Sequence, residues 1–216
     1  MAARRYPFDA RAAVRALRAA DPALARTIDV FGPFAMQRQA MRTPFEALLR
    51  AIVYQQLSGR AAGAIHARML ALFEGGRPTP RALEAMSEAR LREVGLSRAK
   101  AAAARDLAAK TLARVVPGGR ALRAMPDDEI VARLVQVRGI GRWTAEMLLM
   151  SHLARPDILP ATDLGIRRGY ARIQGLDDLP EPADLLAHGE RWRPWRTVAS
   201  WYLWRAADLD AGLPED

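Results

Sequence analysis

The sequence contains no cysteine among its 216 residues. Disulfide bonds, zinc–thiolate centres and iron–sulfur clusters are therefore excluded, because each of them requires cysteine sulfur. Long apolar runs are absent too: no stretch of about eighteen uncharged apolar residues exists, so we expect no membrane-spanning helix. The first residues, from Met1 to Phe8, lack the apolar centre of a signal peptide, and we therefore expect a cytoplasmic protein.

Lysine is scarce, since only Lys100 and Lys110 occur and arginine supplies nearly all of the positive charge. Lysine and arginine together number 33 against 24 acidic residues, which gives a net charge of +9 and a pI of about 11. This excess favours a polyanionic partner such as nucleic acid. Charge by itself leaves open an ordinary solvated surface, because a GC-rich genome also enriches a protein in arginine and alanine.

Strand patterns are missing as well. No run of four to eight residues combines an alternation of apolar and polar side chains with enrichment in β-branched residues. Helix-start signals are frequent instead: Asp9, Ser58 and Ser97 are predicted N-caps, and Thr43-Pro44-Phe45-Glu46 has the form of a capping box. We predict an all-α fold of about ten helices in two lobes. Residues 1–216 are expected to form a single domain whose last helix runs from Pro194 to about Leu209.

Two glycines flank one apolar residue in the stretch Val137-Arg138-Gly139-Ile140-Gly141-Arg142-Trp143-Thr144-Ala145. An amphipathic run from Asp127 precedes this stretch and an apolar-rich run to His152 follows it. The pattern predicts a helix, a tight hairpin and a second helix over residues 127–152. Glycines free the hairpin surface of side chains, so the first amides of the second helix would form an anion site suited to DNA phosphate. The alternative is that Gly139 only caps the first helix.

An aspartate, Asp163, follows Trp143 by about twenty residues, within Leu159-Pro160-Ala161-Thr162-Asp163-Leu164. This hairpin followed by this aspartate resembles the helix-hairpin-helix DNA glycosylase superfamily. Two further segments, from Arg77 to Lys100 and from Glu190 to Arg196, resemble its 3-methyladenine DNA glycosylase II branch. The similarity extends from about Phe45 to Trp204. Larger members of the branch carry an N-terminal β-containing domain, which we do not expect in this shorter chain.

The resemblance implies a DNA N-glycosylase that flips an alkylated purine, 3-methyladenine above all, out of the duplex. Asp163 would then stabilise the positive charge that develops on the sugar in an oxocarbenium-like transition state. The competing interpretation is that Asp163 is only a helix N-cap. Trp143 stands where strand-cutting relatives have a nucleophilic lysine. Tryptophan has no amine that could form a Schiff base, so the resemblance implies a monofunctional enzyme that uses water.

The resemblance also assigns a base pocket. Its predicted members are Trp143, Trp204, Met147 and Tyr54, and Met147 stands where better-known relatives have a tyrosine. Indole walls suit a cationic alkylated base through cation–π attraction. For Trp143 the alternative is a core aromatic residue. The chain has five tryptophans, four of them from Trp192 to Trp204, and most of these four are expected in the core.

A wedge that fills the gap left by the flipped base is placed by the resemblance at Gln56 or Leu57, and the two remain undecided. The alternative for this segment is a polar loop between two helices. Candidate contacts to the DNA backbone are Arg138, Gly139, Gly141, Arg142, Thr144 and Arg167, with Arg168 as a further candidate.

No cofactor is expected, although hairpins of this family often hold a monovalent cation on backbone carbonyls. His66, His152 and His188 are scattered without neighbouring ligands, so we interpret them as structural or exposed residues and predict no metal site built from side chains. The expected partner is double-stranded DNA carrying alkylated bases, bound by a monomer. Two other functions remain open: a glycosylase for a neutral lesion or a mismatch, and a non-catalytic DNA-binding protein that keeps the hairpin.

Overall fold

The computed structural model of the chain describes residues 6–40 and 42–208. Within these ranges the chain forms thirteen α-helices and two 3₁₀ turns, with no β-strand, which confirms the predicted all-α class. The number exceeds the expected ten partly because of helices only five or six residues long. In chain order the helices are α1 Ala10–Ala20, α2 Pro22–Phe31, α3 Pro44–Tyr54, α4 Gly59–Leu70, α5 Pro80–Glu84, α6 Glu88–Glu93, α7 Arg98–Leu112, α8 Gly119–Ala124, α9 Asp127–Leu134, α10 Arg142–Ser151, α11 Leu164–Gln174, α12 Pro182–Gly189 and α13 Arg196–Asp208.

The helix starts follow from short-range chemistry. The predicted caps Asp9, Thr43, Ser58 and Ser97 all accept hydrogen bonds from amides in the first turn of the helix that follows them. Such side chains satisfy donors that have no partner within the helix. The last helix begins at Arg196 rather than at Pro194, and its predicted end at Leu209 lies outside the described residues.

The chain divides into two compact units. Among the described residues, the first unit contains residues 6–39 and 149–208, and the second contains residues 40 and 42–148. No helix in the described ranges is long and apolar enough to cross a lipid bilayer. That residues 1–216 act as one domain stays a prediction.

In the first unit, α11 and α13 pack closely against each other, and α1 and α2 pack against α13. A glycine permits the close approach: a Cβ atom built on Gly169 would lie 1.8 Å from the carbonyl oxygen of Leu203. Because no side chain could occupy that space, Gly169 is required for α11 and α13 to pack at this distance. The fully buried side chains of Leu17, Leu24 and Tyr202 belong to the same core.

One buried carboxylate connects three elements of the first unit. Asp21 Oδ1 accepts the first amides of α2, while its Oδ2 accepts Trp192 Nε1 at 2.9 Å and lies 2.8 Å from His188 Nε2. Burial alone would raise the pKa of Asp21, but the hydrogen bonds from His188, from the Leu24 amide and from Trp192 outweigh it and lower that pKa. Asp21 is therefore charged and fully hydrogen-bonded in the folded state, which makes it a structural residue.

In the second unit, α7 packs against α3, α5 and α6. The buried face of α7 is built largely from alanine, with Ala101, Ala103, Ala104 and Ala108 all almost inaccessible to solvent. Small side chains allow neighbouring helices to approach closely. Because the neighbouring helices lie close to α7, its few long polar side chains can reach the loops at their ends.

Candidate functional site

The predicted hairpin is present between α9 and α10. The turn closes through a hydrogen bond from the Ile140 amide to the Val137 carbonyl at 3.0 Å, and the Ile140 side chain is buried. Gly139 has φ of +77°, in the region that favours glycine. Val135 occupies the C-cap of α9, so the alternative that Gly139 serves only as this cap is wrong. A Cβ atom on Gly141 would meet nothing within 4 Å, which leaves the surface before α10 open.

Helix α7 holds the backbone of the hairpin. Asp106 Oδ2 accepts the amide of Arg138 at 2.7 Å and also pairs with Lys110 Nζ at 3.1 Å. Lys110 in turn donates to the carbonyl of Gln136. Beneath the turn, a Cβ atom on Gly139 would lie 3.2 Å from the Cβ atom of Ala103. These contacts fix the path of the main chain just before α10.

The same helix holds the loop at residues 55–58. Lys100 Nζ donates to the carbonyls of Val53 and Gln55 at 2.8 and 2.7 Å, which are acceptors at the C-terminal end of α3. Burial lowers the pKa of Lys100. Gln55 Nε2 then donates to the Gly139 carbonyl at 2.8 Å, so the loop is tied directly to the hairpin. Neither Lys100 nor Gln55 stands out in the sequence as a functional residue.

The two wedge candidates lie at the exposed tip of this loop. Gln56 adopts a φ of +54°, which is uncommon for a residue other than glycine, and its side chain is exposed. Leu57 is 39% exposed, although it is a large apolar residue. Both placements suit a side chain that enters DNA. Gln56 and Leu57 therefore remain the two alternatives for the wedge.

Trp143 is 45% exposed, so it is not a core aromatic residue. Met147 is half-buried one turn further along α10. Thr144 is 7% exposed, so little of its surface is open to a phosphate. Arg142 forms an ion pair with the nearly buried Glu146, with 2.9 Å between Nε and Oε1, while most of its side chain remains exposed.

Tyr54, the remaining pocket candidate of the second unit, is half-buried at the end of α3. The guanidinium of Arg50 lies 4.0 Å from the centre of its ring, and His66 contacts it edge-on with the two ring centres 5.9 Å apart. Burial, together with the charge of Arg50, lowers the pKa of His66. His66 therefore packs as a neutral aromatic neighbour of Tyr54, in keeping with its predicted structural role.

In the first unit, Asp163 and Trp204 are brought together. Asp163 is the N-cap of α11, since its Oδ1 accepts the Ile166 amide at 2.9 Å. The indole N–H of Trp204, from α13, donates to the same Oδ1 atom at 2.9 Å. Asp163 therefore does cap α11, and the hydrogen bond from the Trp204 indole is an additional contact of the same carboxylate. A cap alone needs no such partner.

The remaining arginine and tryptophan candidates of the first unit differ in their exposure and in the contacts that they make. Arg167 donates its Nε to the Pro180 carbonyl at 2.9 Å, so part of its guanidinium already serves the fold, while Arg168 is exposed. Trp192 is fully buried and Trp201 packs edge-on against Tyr202, which agrees with the expected core role of most of these tryptophans. Trp204 is only half-buried.

The polar groups of the described ranges offer no group of three or more His, Asp or Glu side chains placed to hold a metal ion. The hairpin carbonyls of Gln136, Val137 and Gly139 each accept one hydrogen bond from the protein. A carbonyl oxygen has two lone pairs, so each keeps capacity for a cation. A monovalent cation on the hairpin backbone stays a prediction.

A family model described as HhH-GPD superfamily base excision DNA repair protein matches residues 49–194, which include the hairpin and Asp163. The chain belongs to this superfamily. Among curated relatives, this HhH-GPD chain is 36% identical over 186 residues to DNA-3-methyladenine glycosylase 1 of Schizosaccharomyces pombe, a match covering 85% of the chain and 82% of the relative. The predicted family is confirmed.

Solved structures agree with this assignment. The S. pombe 3-methyladenine DNA glycosylase Mag1 in complex with abasic DNA matches with a TM-score of 0.79 at 35% identity, covering 89% of this chain and 95% of that one. A DNA-3-methyladenine glycosidase from Bacillus halodurans matches with a TM-score of 0.83 at 33% identity, covering 92% and 90% of the two chains. The HhH-GPD fold thus extends over nearly all of the described residues.

Proposed function

We propose that this HhH-GPD chain is a monofunctional DNA N-glycosylase that removes alkylated purines, with 3-methyladenine as the leading substrate. The observation that carries the proposal is the carboxylate of Asp163, held by the Ile166 amide and the Trp204 indole in a chain closely related to 3-methyladenine glycosylases. A carboxylate held by two donors is preorganised, and preorganised charge is the main means of stabilising a charged transition state.

DNA binding is proposed to begin at the hairpin. The first amides of α10 have no acceptor within the helix, and the helix dipole makes this end attractive to phosphate. Arg138 and Arg142 are exposed beside it and add positive charge. A monovalent cation on the hairpin carbonyls would add further positive charge at this point and would take no part in bond breaking.

The chemistry needs no general acid when the base is alkylated and cationic. The oxygen of a water molecule forms a bond to C1′ of the sugar while the bond between C1′ and the base nitrogen breaks. The base takes the bonding electrons and leaves uncharged, and the attacking water gives up one proton to the solvent. Asp163 stabilises the positive charge that develops on the sugar as the bond to the base breaks. The product is free base and an abasic site.

The decisive experiment is release of free base from a methylated duplex, with the products separated by base identity. We expect 3-methyladenine to appear, the abasic strand to stay intact until alkali is added, and borohydride to trap no covalent adduct. A trapped adduct would contradict the water mechanism, because it requires an amine nucleophile in place of Trp143.

A second outcome would identify a different lesion range. Met147 stands at the position of a pocket tyrosine, and a thioether side chain adapts its shape more easily than a phenol. Release of a neutral damaged or mismatched base, without 3-methyladenine, would favour the neutral-lesion alternative. Binding without release of any base would favour a non-catalytic DNA-binding protein.

Two further properties belong to this proposal. We propose that the chain acts as a monomer in the cytoplasm, on chromosomal DNA. Sedimentation of the protein alone and with a short lesion duplex tests the first property: one protein per duplex is the expected result. A dimer at the concentrations used for base release would contradict it.

A further inference from the structure

Gly165 is the second residue of α11, two positions after Asp163. Its φ lies outside the left-handed region, so the backbone does not require glycine here. Within a helix glycine is the least favourable residue except proline, because it loses the most backbone freedom on folding. Some other constraint must account for glycine at this position.

The constraint is space beside the Asp163–Trp204 contact. A Cβ atom on Gly165 would lie 2.9 Å from Cδ1 and 3.3 Å from Nε1 of Trp204, and 3.1 Å from Oδ1 of Asp163. These are the atoms of the indole–carboxylate hydrogen bond and their immediate neighbour. A methyl group at residue 165 would therefore push against both partners of that bond at once.

We propose that Gly165 is a positioning residue, whose missing side chain lets the Trp204 indole reach Asp163 and hold its carboxylate for catalysis. This inference rests on the proposed function, since it assigns Asp163 the supporting role in glycosidic bond cleavage. The indole N–H and the Ile166 amide converge on one oxygen, and because a carboxylate is planar they also fix the place of the other oxygen. Small displacements of such a group reduce the rate steeply.

The inference gives Trp204 a function besides that of a predicted pocket wall. Its ring is the surface predicted to meet the flipped base, and its N–H contacts the catalytic carboxylate. A shift of the indole would thus move Asp163 as well. Gly169, one turn further along α11, differs in kind because its missing side chain makes room for main-chain atoms of α13.

The test is Gly165→Ala, compared with Gly119→Ala as a matched control. Gly119 also lies in the first turn of a helix, and a Cβ atom there would make only ordinary contacts of 3.7 Å or more. We expect Gly165→Ala to lower the single-turnover rate of base release roughly 10- to 100-fold. Its affinity for lesion DNA and its melting temperature should match those of Gly119→Ala. An unchanged rate would overturn the proposal.

A double-mutant cycle shows whether the effect passes through Trp204. Trp204→Phe keeps an aromatic ring but removes the Nε1–H donor of the hydrogen bond to Asp163. In that background Gly165→Ala should lower the rate by less than about threefold, because the contact that it disturbs has already been removed. The full loss in both backgrounds would show that Gly165 acts independently of Trp204, and the proposal would be wrong.

The hydrogen bond can also be followed without activity. Among the five indole N–H signals in a nitrogen–proton NMR spectrum, the one lost in Trp204→Phe belongs to Trp204. We expect that signal to move in Gly165→Ala and to stay in place in Gly119→Ala. If the wild-type chain releases no base but this signal moves, the proposed function fails while the positioning role of Gly165 stands. If the signal stays in place, the positioning role fails.

Discussion

The hairpin of the second unit and the aspartate of the first are held by different kinds of contact. Around the hairpin, Lys100, Asp106 and Lys110 of α7 reach out and bind main-chain carbonyls and amides. Around the aspartate, absent side chains matter more: Gly165 and Gly169 let α13 and its indole come close. Polar anchors position a backbone that is to meet phosphates, whereas close packing positions a side chain that is to meet a sugar.

This difference has a physical basis. Binding phosphate requires main-chain amides at a set place, and side-chain hydrogen bonds can hold a loop without covering its outer surface. Stabilising a transition state requires one carboxylate to be held rigidly, and rigid placement follows from close packing combined with hydrogen bonds. Substitutions around Asp163 should therefore affect rate or folding, and those around the hairpin and the loop at residues 55–58 should affect DNA binding.

The largest effect is expected from Asp163→Asn. The amide oxygen of asparagine can accept the same two hydrogen bonds, and asparagine caps helices about as well as aspartate. The substitution removes the negative charge, so the single-turnover rate should fall by at least roughly 10², while the melting temperature and lesion-DNA affinity are kept. A folded mutant that releases base at the parental rate would show that Asp163 is only a helix cap.

Gly169→Ala should act on folding rather than on chemistry. The added methyl group would meet the Leu203 carbonyl, so α11 and α13 must move apart. Overpacking of this kind costs about 1–3 kcal/mol. Thermal unfolding should show a clearly lower melting temperature, with Gly119→Ala as the control. If Gly169→Ala slowed base release without any loss of stability, the contrast with Gly165 would disappear.

Lys100→Met tests the polar anchors of the second unit. Methionine keeps a flexible apolar chain but donates no hydrogen bonds to the Val53 and Gln55 carbonyls. We expect the loss of about 1 kcal/mol of support for the loop at residues 55–58, equivalent to roughly fivefold weaker binding of lesion DNA. Undamaged DNA should bind as before, because the phosphate contacts remain. An equal loss on both DNAs would place Lys100 against the backbone of the duplex.

Lys100→Arg is the companion variant. It restores the positive charge but replaces a compact ammonium group by a planar guanidinium, which fits two carbonyls at a helix end less well. We expect only partial recovery of lesion binding. Full recovery would mean that charge, and not the geometry of the two hydrogen bonds, supports the loop.

The smallest effect is expected from Arg142→Ala. If Arg142 meets one phosphate, the slope of log K against log salt should become less steep by about 0.9, with lesion and undamaged DNA weakened alike. Arg98→Ala serves as control, since Arg98 is 81% exposed and lies at the start of α7, away from the hairpin residues in sequence. A loss confined to lesion DNA would place Arg142 at the base pocket instead.

The sequence predicted most accurately those features whose causes act over a few residues. The caps Asp9, Thr43 and Ser97 bind amides two or three positions away, and the pair Gly139 and Gly141 shapes one turn. The family follows from the same local motif together with Asp163. Helix ends were less accurate: the last helix was expected to begin at Pro194, whereas α13 begins at Arg196.

The residues that hold the site could not be found in this way, because their partners are distant in the chain. Gln55 bonds to Gly139 across 84 positions, and Asp163 to Trp204 across 41. The scarcity of lysine is the one signal for Lys100, since only two of the 33 basic residues are lysine. Nothing in the pattern around Gly165 indicated that an indole would pack over it.

The amino-acid sequence by itself determined the helical class, the hairpin with its two glycines, the aspartate that follows it, and the family to which the chain belongs. These features depend on helix capping, on backbone freedom and on the spacing of residues, and all three can be recognised along a short stretch of the chain. Only the tertiary structure decided that Lys100 and Asp106 hold the loop and the hairpin, and that Gly165 opens the space between Asp163 and Trp204. Such contacts exist only once distant segments have packed, since a hydrogen bond or a steric clash depends on distances in space and not along the chain.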